Sequence, residues 1–199
     1  MDSNKKNKLL IISLIVAFLS PLVFSWWLLN YTNVVTDRSK SNHGDLITPP
    51  RQIENLDLID PLSADKKYQL HGKWSMVYVA EYCDQICIDN LYRMRQIHIA
   101  MDKHSLRVQR VLFLKSDSYQ DLIDTFKDYS GQRLIKTESL DINNLLDQFR
   151  LTEADDPIKA HRLYIIDPLG NLMMSYEPKV DPGGIMKDLK KLLRASRIG

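Results

Sequence analysis

Two cysteines, Cys83 and Cys87, are the residues of this 199-residue chain whose type and spacing most directly indicate chemistry. Apolar residues recur after them at steps of three and four, which predicts that a helix begins at the first cysteine. Two thiols one helical turn apart on one face can close a disulfide or bind a soft metal ion. The exposed N–H groups and the dipole at a helix start lower the pKa of a thiol there. A buried, inert pair is the alternative, and spacing alone leaves it open.

Other common kinds of functional site have no support in the sequence. There is no glycine-rich phosphate loop, no Gly-x-Ser-x-Gly motif and no His-Glu-x-x-His motif. The formal net charge is only +2, and acidic and basic residues are mixed along the chain. The sequence therefore gives no reason to expect a hydrolase, a nucleotide-binding protein or a nucleic-acid partner.

A membrane anchor is predicted at the N-terminus. Residues 9–29 form a run of 21 residues without an ionisable side chain, and at about 1.5 Å per residue such a helix spans the hydrocarbon layer of a bilayer. Lys5, Lys6 and Lys8 precede the run, and no small-residue cleavage site follows it. The positive-inside bias predicts a single-pass protein of the inner (cell) membrane, with residues 1–8 in the cytoplasm and the soluble part in the periplasm.

The chain after the anchor divides into a polar segment and a domain. Residues 30–69 contain Pro49, Pro50 and Pro61 and show little periodicity, which predicts an extended tether. Residues 70–199 are predicted to form one soluble domain. Its hydrophobic patterns predict strand 74–80, helix 84–103, strand 107–115, helix 118–128, strand 133–136, helix 141–149, a hairpin of strands 162–167 and 172–176, and helix 185–196. This order predicts an α/β domain with a thioredoxin-like fold, and it puts the cysteines where the first strand meets the first helix.

Together these features resemble the Sco/SenC family of membrane-anchored, thioredoxin-like proteins, which deliver copper to, or reduce thiols in, cytochrome c oxidase. The anchor, the strand 74–80, the Cys83-x-x-x-Cys87 pair and the Tyr164–Gly170 segment (YIIDPLG) carry the resemblance, which covers the soluble domain. It implies copper as the bound metal, and a cytochrome c oxidase subunit or another assembly factor as the partner.

The resemblance also implies a ligand set of Cys83, Cys87 and His161. Two thiolates and an imidazole suit copper, because soft sulfur ligands favour Cu(I). The chain departs from the family pattern in having Asp84 and Ile88 where proline usually follows each cysteine. His161 also stands two residues nearer the Asp-Pro turn than the family's histidine, a shift that keeps it on the same face of an extended strand.

Two further functions stay open at this stage. In a thiol–disulfide oxidoreductase, Cys83 would attack and Cys87 would resolve, with Pro157 as the candidate for a cis-proline facing the pair. In a non-catalytic scaffold, the pair would be a structural disulfide. His161 would then be an ordinary loop histidine, as His71, His98 and His104 are expected to be structural or exposed.

Overall fold

The computed structural model describes residues 3–31, 42–54, 58–60, 67–115, 122, 126, 129–137, 142–196 and 198. The chain forms two compact units, Met1–Ser41 and Asn42–Gly199. The first contains helix α1, Ser3–Tyr31, in which the 23 residues Lys6–Leu28 are long and apolar enough to cross a membrane. None of that span is buried against protein. The predicted N-terminal apolar helix is therefore confirmed.

The second unit is built on a mixed sheet. Its strands are β1 (Asp45–Gln52), β2 (Leu58–Ile59), β3 (Lys67–Tyr68), β4 (Trp74–Ala80), β5 (Val108–Leu114), β6 (Gln132–Thr137), β7 (Leu163–Ile166) and β8 (Asn171–Tyr176). Their order in the sheet is β1-β8-β7-β4-β5-β6-β2-β3. The central strands β4, β5 and β6 are parallel, whereas β7 and β8 form the predicted antiparallel hairpin beside β4.

Helices cover both faces of the sheet. They are α2 (Gln85–Ala100), a 3-10 helix (Asp102–Arg107), α3 (Ile142–Asp147) and α4 (Pro182–Ala195). Side chains of α2 and α4 pack with Met76 and Tyr78 on one face, and the α3 region packs with Val77 and Val79 on the other. All seven residues of β4 are buried as a result, which is why this strand has an uninterrupted apolar sequence. The predicted thioredoxin-like α/β fold is confirmed.

Most predicted elements lie within a few residues of the observed ones. The first helix is shorter than predicted, because it ends at Ala100 and the chain tightens into the 3-10 helix, which contains His104. The predicted helix 118–128 lies outside the described residues except for Leu122 and Phe126, which are helical and buried.

The predicted tether over residues 30–69 is wrong for three segments, which are strands of the sheet. Strand β1 pairs with β8 at one edge, and β2 and β3 extend the other. The backbone N–H groups of His43 and Gly44 also donate to the buried carboxylate of Asp188, at 2.7 and 3.1 Å. The compact unit thus begins near residue 42 rather than at residue 70.

Candidate functional site

The cysteine pair lies at the end of β4 where α2 begins, as predicted. Cys83 and Cys87 form a disulfide with their Cα atoms 5.0 Å apart. Cys87, in the first turn of α2, is fully buried, whereas Cys83 is partly exposed. Asp84 is the N-cap of α2, and its carboxylate accepts a hydrogen bond of 2.9 Å from the backbone N–H of Cys87. An aspartate in this position stabilises the helix start that holds both sulfurs.

Strand pairing brings His161 to the same end of the sheet. Tyr78 of β4 is opposite Leu163 of β7, so the residue two before Leu163 comes next to the last residue of β4. The side chain of Tyr78 is on the α2 face, and its hydroxyl lies 2.9 Å from Nδ1 of His161. His161 has a φ of +48°, a left-handed conformation that histidine adopts more readily than most residues with a side chain.

A cleft of about 250 Å³ lies beside Tyr78 and His161, and Cys83 and Cys87 are not among the described residues that line it. Tyr78, Tyr82, Asp84 and His161 are among the residues that line it. Burial raises the pKa of Tyr78 to about 12; a hydrogen bond with Asn90 opposes the shift, and the charge of Asp84 adds to it. The Tyr78 hydroxyl therefore stays protonated at neutral pH, with lone pairs that can accept a hydrogen bond from the imidazole.

Arg162 fixes the chain immediately after His161. Its Nη1 lies 2.8 Å from both carboxylate oxygens of Asp155, and its Nε lies 2.7 Å from Oε1 of Glu177. Burial of Arg162 opposes its charge, but its bonds to Asp155 and Glu177 outweigh burial and raise its pKa. Burial likewise acts to raise the pKa of Asp155, yet hydrogen bonds from Leu151 and Arg162 lower it overall. Both groups remain charged; the bond to Asp155 ties Arg162 to the preceding loop, and the bond to Glu177 ties it to the residue that follows β8.

The structure brings the three predicted ligands to one end of the sheet without forming a metal cluster. Among the described residues, no group of three or more His, Cys, Asp or Glu side chains is arranged to hold a metal ion. The sulfurs are bonded to each other, and the thiolates that bind metals arise only when that bond is reduced.

Neither Pro157 nor His98 lines the cleft at His161, although the cavity of Pro157 adjoins it and shares Glu81, Ile158 and Lys159 with it. Pro157 is buried in the lining of a different cavity, with Glu81 and Lys115, and the described cis peptide bond is at Thr48–Pro49. His98 packs at the other end of the sheet, where its Nε2 lies 3.0 Å from the carbonyl oxygen of Val108.

Sequence reasoning missed Tyr78 and the capping role of Asp84. Tyr78 stands inside an apolar strand, so its type gives no sign that it reaches a histidine 83 residues away. Asp84 did carry a signal, since an aspartate just before a helical pattern is a common N-cap.

Comparisons with known proteins identify the family and the fold. A family model described as "Transmembrane-like, thioredoxin-like, C-terminal domain" matches residues 74–196. No curated protein matches the sequence significantly.

Three solved structures similar to this chain show the fold. Apo Sco1 from Thermus thermophilus is 13% identical, with a TM-score of 0.58, and the match covers 76% of this chain and 97% of that one. Copper-bound yeast Sco1 is 18% identical, with a TM-score of 0.57, over 74% of this chain and 92% of that one. A thiol:disulfide interchange protein from Bacteroides sp. is 12% identical, with a TM-score of 0.52, over 74% and 91%. The predicted resemblance to Sco proteins is thus confirmed in the fold.

Proposed function

The chain belongs to the family of transmembrane-like, thioredoxin-like C-terminal domains, and from that premise we propose that it is a Sco-like protein that binds copper for cytochrome c oxidase assembly. Reduced Cys83 and Cys87 supply two thiolates, and His161 supplies an imidazole. The observation that carries the proposal is the 2.9 Å contact between the Tyr78 hydroxyl and Nδ1 of His161. This contact holds a histidine at the end of the sheet that carries the cysteine pair.

The contact allows two arrangements, since the Tyr78 hydroxyl can accept from Nδ1–H or donate to an unprotonated Nδ1, and the first of these suits a metal-binding histidine. When Nδ1–H donates to the Tyr78 oxygen, the lone pair of the neutral imidazole is on Nε2. A histidine that binds a metal usually donates its other N–H to a neighbour in this way. Tyr78 is then a positioning residue that presents Nε2 of His161 to copper.

Copper binding has to follow reduction of the disulfide. An exported dithiol would transfer two electrons to the Cys83–Cys87 bond and become a disulfide itself, leaving two thiols. Copper then displaces the thiol protons, so binding releases protons and weakens as the pH falls. Cu(I) is the expected cargo, because two sulfurs and one imidazole form a soft donor set.

The anchor supports the localisation that we propose. Helix α1 holds the protein in the inner (cell) membrane as a single pass, with the N-terminus in the cytoplasm and Cys83 in the periplasm. The lysines before the apolar span support this direction. A membrane-impermeant maleimide should label the reduced cysteines in intact spheroplasts, and labelling only after lysis would reverse the topology. The partner is then an exported copper-site subunit of the oxidase, or another assembly factor.

A thiol–disulfide oxidoreductase is the second candidate, because the pair forms a disulfide with unequal burial. Cys83 is partly exposed and can attack another disulfide, whereas the buried Cys87 can resolve the mixed disulfide. Against this function, Pro157 lines another cavity and its peptide bond is not among the cis bonds of the described residues.

Competition for Cu(I) tests the copper proposal. The reduced full chain, in detergent, is titrated against a chromophoric chelator of moderate affinity. Cys83→Ser and Cys87→Ser should abolish binding, because a serine hydroxyl is a poor ligand for Cu(I). His161→Ala should weaken it by about tenfold or more. His71→Ala is the matched control, because His71 is an exposed histidine of the same domain, and it should change nothing.

Three outcomes would contradict parts of the proposal. Wild-type binding with an unchanged affinity in His161→Ala would make this a two-thiol site. Absence of Cu(I) binding by the reduced wild type would exclude the copper proposal. Accumulation of mixed disulfides by Cys87→Ser would then favour the oxidoreductase. A disulfide that resists reduction in the folded chain would favour the scaffold.

A further inference from the structure

A cationic cavity of about 390 Å³ lies at the edge of the sheet where the parallel strands begin, opposite the cysteine end. It is enclosed by the second half of α2, the 3-10 helix, the start of β5 and the turn before β6. Its charged or titratable lining residues are Lys73, Arg95, His98, Arg110 and Arg133. None of the described residues that line it is acidic.

Arg110 is the buried centre of this lining. It is only 3% exposed, and its Nη2 donates to the carbonyl oxygen of Ser130. Its Nε and Nη1 have no hydrogen-bond partner among the described residues. Burial lowers the pKa of Arg110, and the neighbouring charge of Arg95 lowers it further. A buried guanidinium is costly when its N–H donors have no acceptor. The unpaired N–H groups of Arg110 therefore indicate that a ligand supplies the acceptor.

The surrounding charges indicate what that ligand is. Arg133 is paired with Asp60 at 3.1 Å, so its charge is already offset. Arg95 and Lys73 have no ion pair within the described part of the chain. Counting the described residues alone, three cations therefore face the cavity without a counter-charge, and a single carboxylate would offset only one of them. A phosphate group carries up to two negative charges and several acceptor oxygens, which match these donors more closely.

We propose that the cavity formed by Arg110, Arg95 and Lys73 is a binding site for a phosphate group, either as free phosphate or as a small phosphate monoester. Arg110 contributes the buried hydrogen bonds, and the other two cations contribute charge. The hydroxyl of Ser105, also in the lining, supplies a further donor. The site is independent of the cysteines, since it is formed at the opposite end of the strands.

Phosphorus-31 NMR of the full chain in detergent, in chloride buffer, tests the proposal with two probes, inorganic phosphate and glycerol 3-phosphate. Saturable broadening or shift of the phosphorus signal is expected for the wild type. Tighter binding of the free ion or of the ester identifies the source of the group. Arg110→Met keeps most of the side-chain volume and should weaken binding about tenfold or more, because charged hydrogen bonds are lost. Arg95→Gln should weaken it less.

Arg194→Gln is the matched control, because Arg194 is an exposed arginine of α4 outside the cavity, and its binding should equal that of the wild type. Circular dichroism checks that each variant folds. If Arg110→Met does not fold, the binding measured for Arg95→Gln decides the test. No saturable signal with either probe would overturn the proposal. Unchanged binding in both cavity variants, or equally tight competition by acetate, would overturn it too.

Discussion

Arg162 and Arg110 lie at opposite ends of the central strands, and their guanidinium groups differ in how many hydrogen-bond acceptors they have. Arg162, beside His161, has bonds of 2.7 to 2.8 Å to two carboxylates, which raise its pKa. Arg110 has one backbone acceptor, and its pKa is lowered by burial and by Arg95. The donors of Arg162 are therefore paired within the chain. The Nε and Nη1 donors of Arg110 have no acceptor among the described residues, and the proposed phosphate would supply one.

Replacing each arginine with methionine should give the largest difference between the two ends, measured as the change in the free energy of unfolding. Arg162→Met leaves Asp155 largely buried without its cation, and should lower the free energy of unfolding by about 3 kcal/mol. Arg110→Met removes a buried charge that has no counter-charge in the described part of the chain, so in phosphate-free buffer it should cost little or stabilise the fold. Urea unfolding of the full chain in detergent, followed by circular dichroism, measures both. An equal loss in the two variants would mean that Arg110 is compensated in the folded chain, and the contrast would fail.

The comparison also shows which features the sequence could predict. Strand 74–80 was predicted to the residue because a strand covered on both faces must be apolar throughout. Strand β1 was missed because it is an edge strand with mostly exposed side chains, including Pro49 and Pro50. Proline is tolerated at an edge, and pairing there depends on the backbone, which leaves no hydrophobic pattern.

The two sites also differ in how far a local sequence pattern could predict them. The cysteine pair was found from spacing, because a helix puts residues four apart on one face. The contact between Tyr78 and His161 depends on the register of β4 with β7, which no local pattern specifies. Arg110 is buried because it lies on the same face of β5 as Val108 and Leu112. Its lack of acceptors depends on which side chains of α2 and the 3-10 helix happen to face it.

Removing the Tyr78 hydroxyl should have a smaller effect, confined to the cysteine end. Tyr78→Phe releases Nδ1 of His161, so the imidazole is no longer held in one orientation and tautomer. Cu(I) affinity should fall about tenfold, as for loss of other partners of metal-bound histidines. Tyr68→Phe is the matched control, since it removes a buried hydroxyl on the opposite face of the sheet, in the edge strand β3 away from His161. Equal affinities in the wild type and Tyr78→Phe would show that Tyr78 does not position the ligand.

The smallest expected effect is a pH dependence at the arginine cavity, through His98. Burial lowers the pKa of His98, and the charges of Arg110 and Lys73 lower it further, against hydrogen bonds to the carbonyls of Val108 and Ser105. Below the ordinary histidine value of about 6.5, the unfolded chain therefore holds more protons at this residue than the folded chain. The free energy of unfolding should fall as the pH drops below that value, until the folded pKa is passed.

His98→Gln removes this titration and keeps a side-chain donor near the Val108 carbonyl. Between about pH 7.5 and about pH 5, the wild type should lose more stability than His98→Gln, whereas the exposed control His71→Gln should follow the wild type. Phosphate sharpens the comparison, because an anion beside Arg110 offsets the charge that disfavours protonated His98. Saturating phosphate should therefore reduce the difference between wild type and His98→Gln. A difference that phosphate leaves unchanged would mean that the anion, if bound, does not lie beside Arg110.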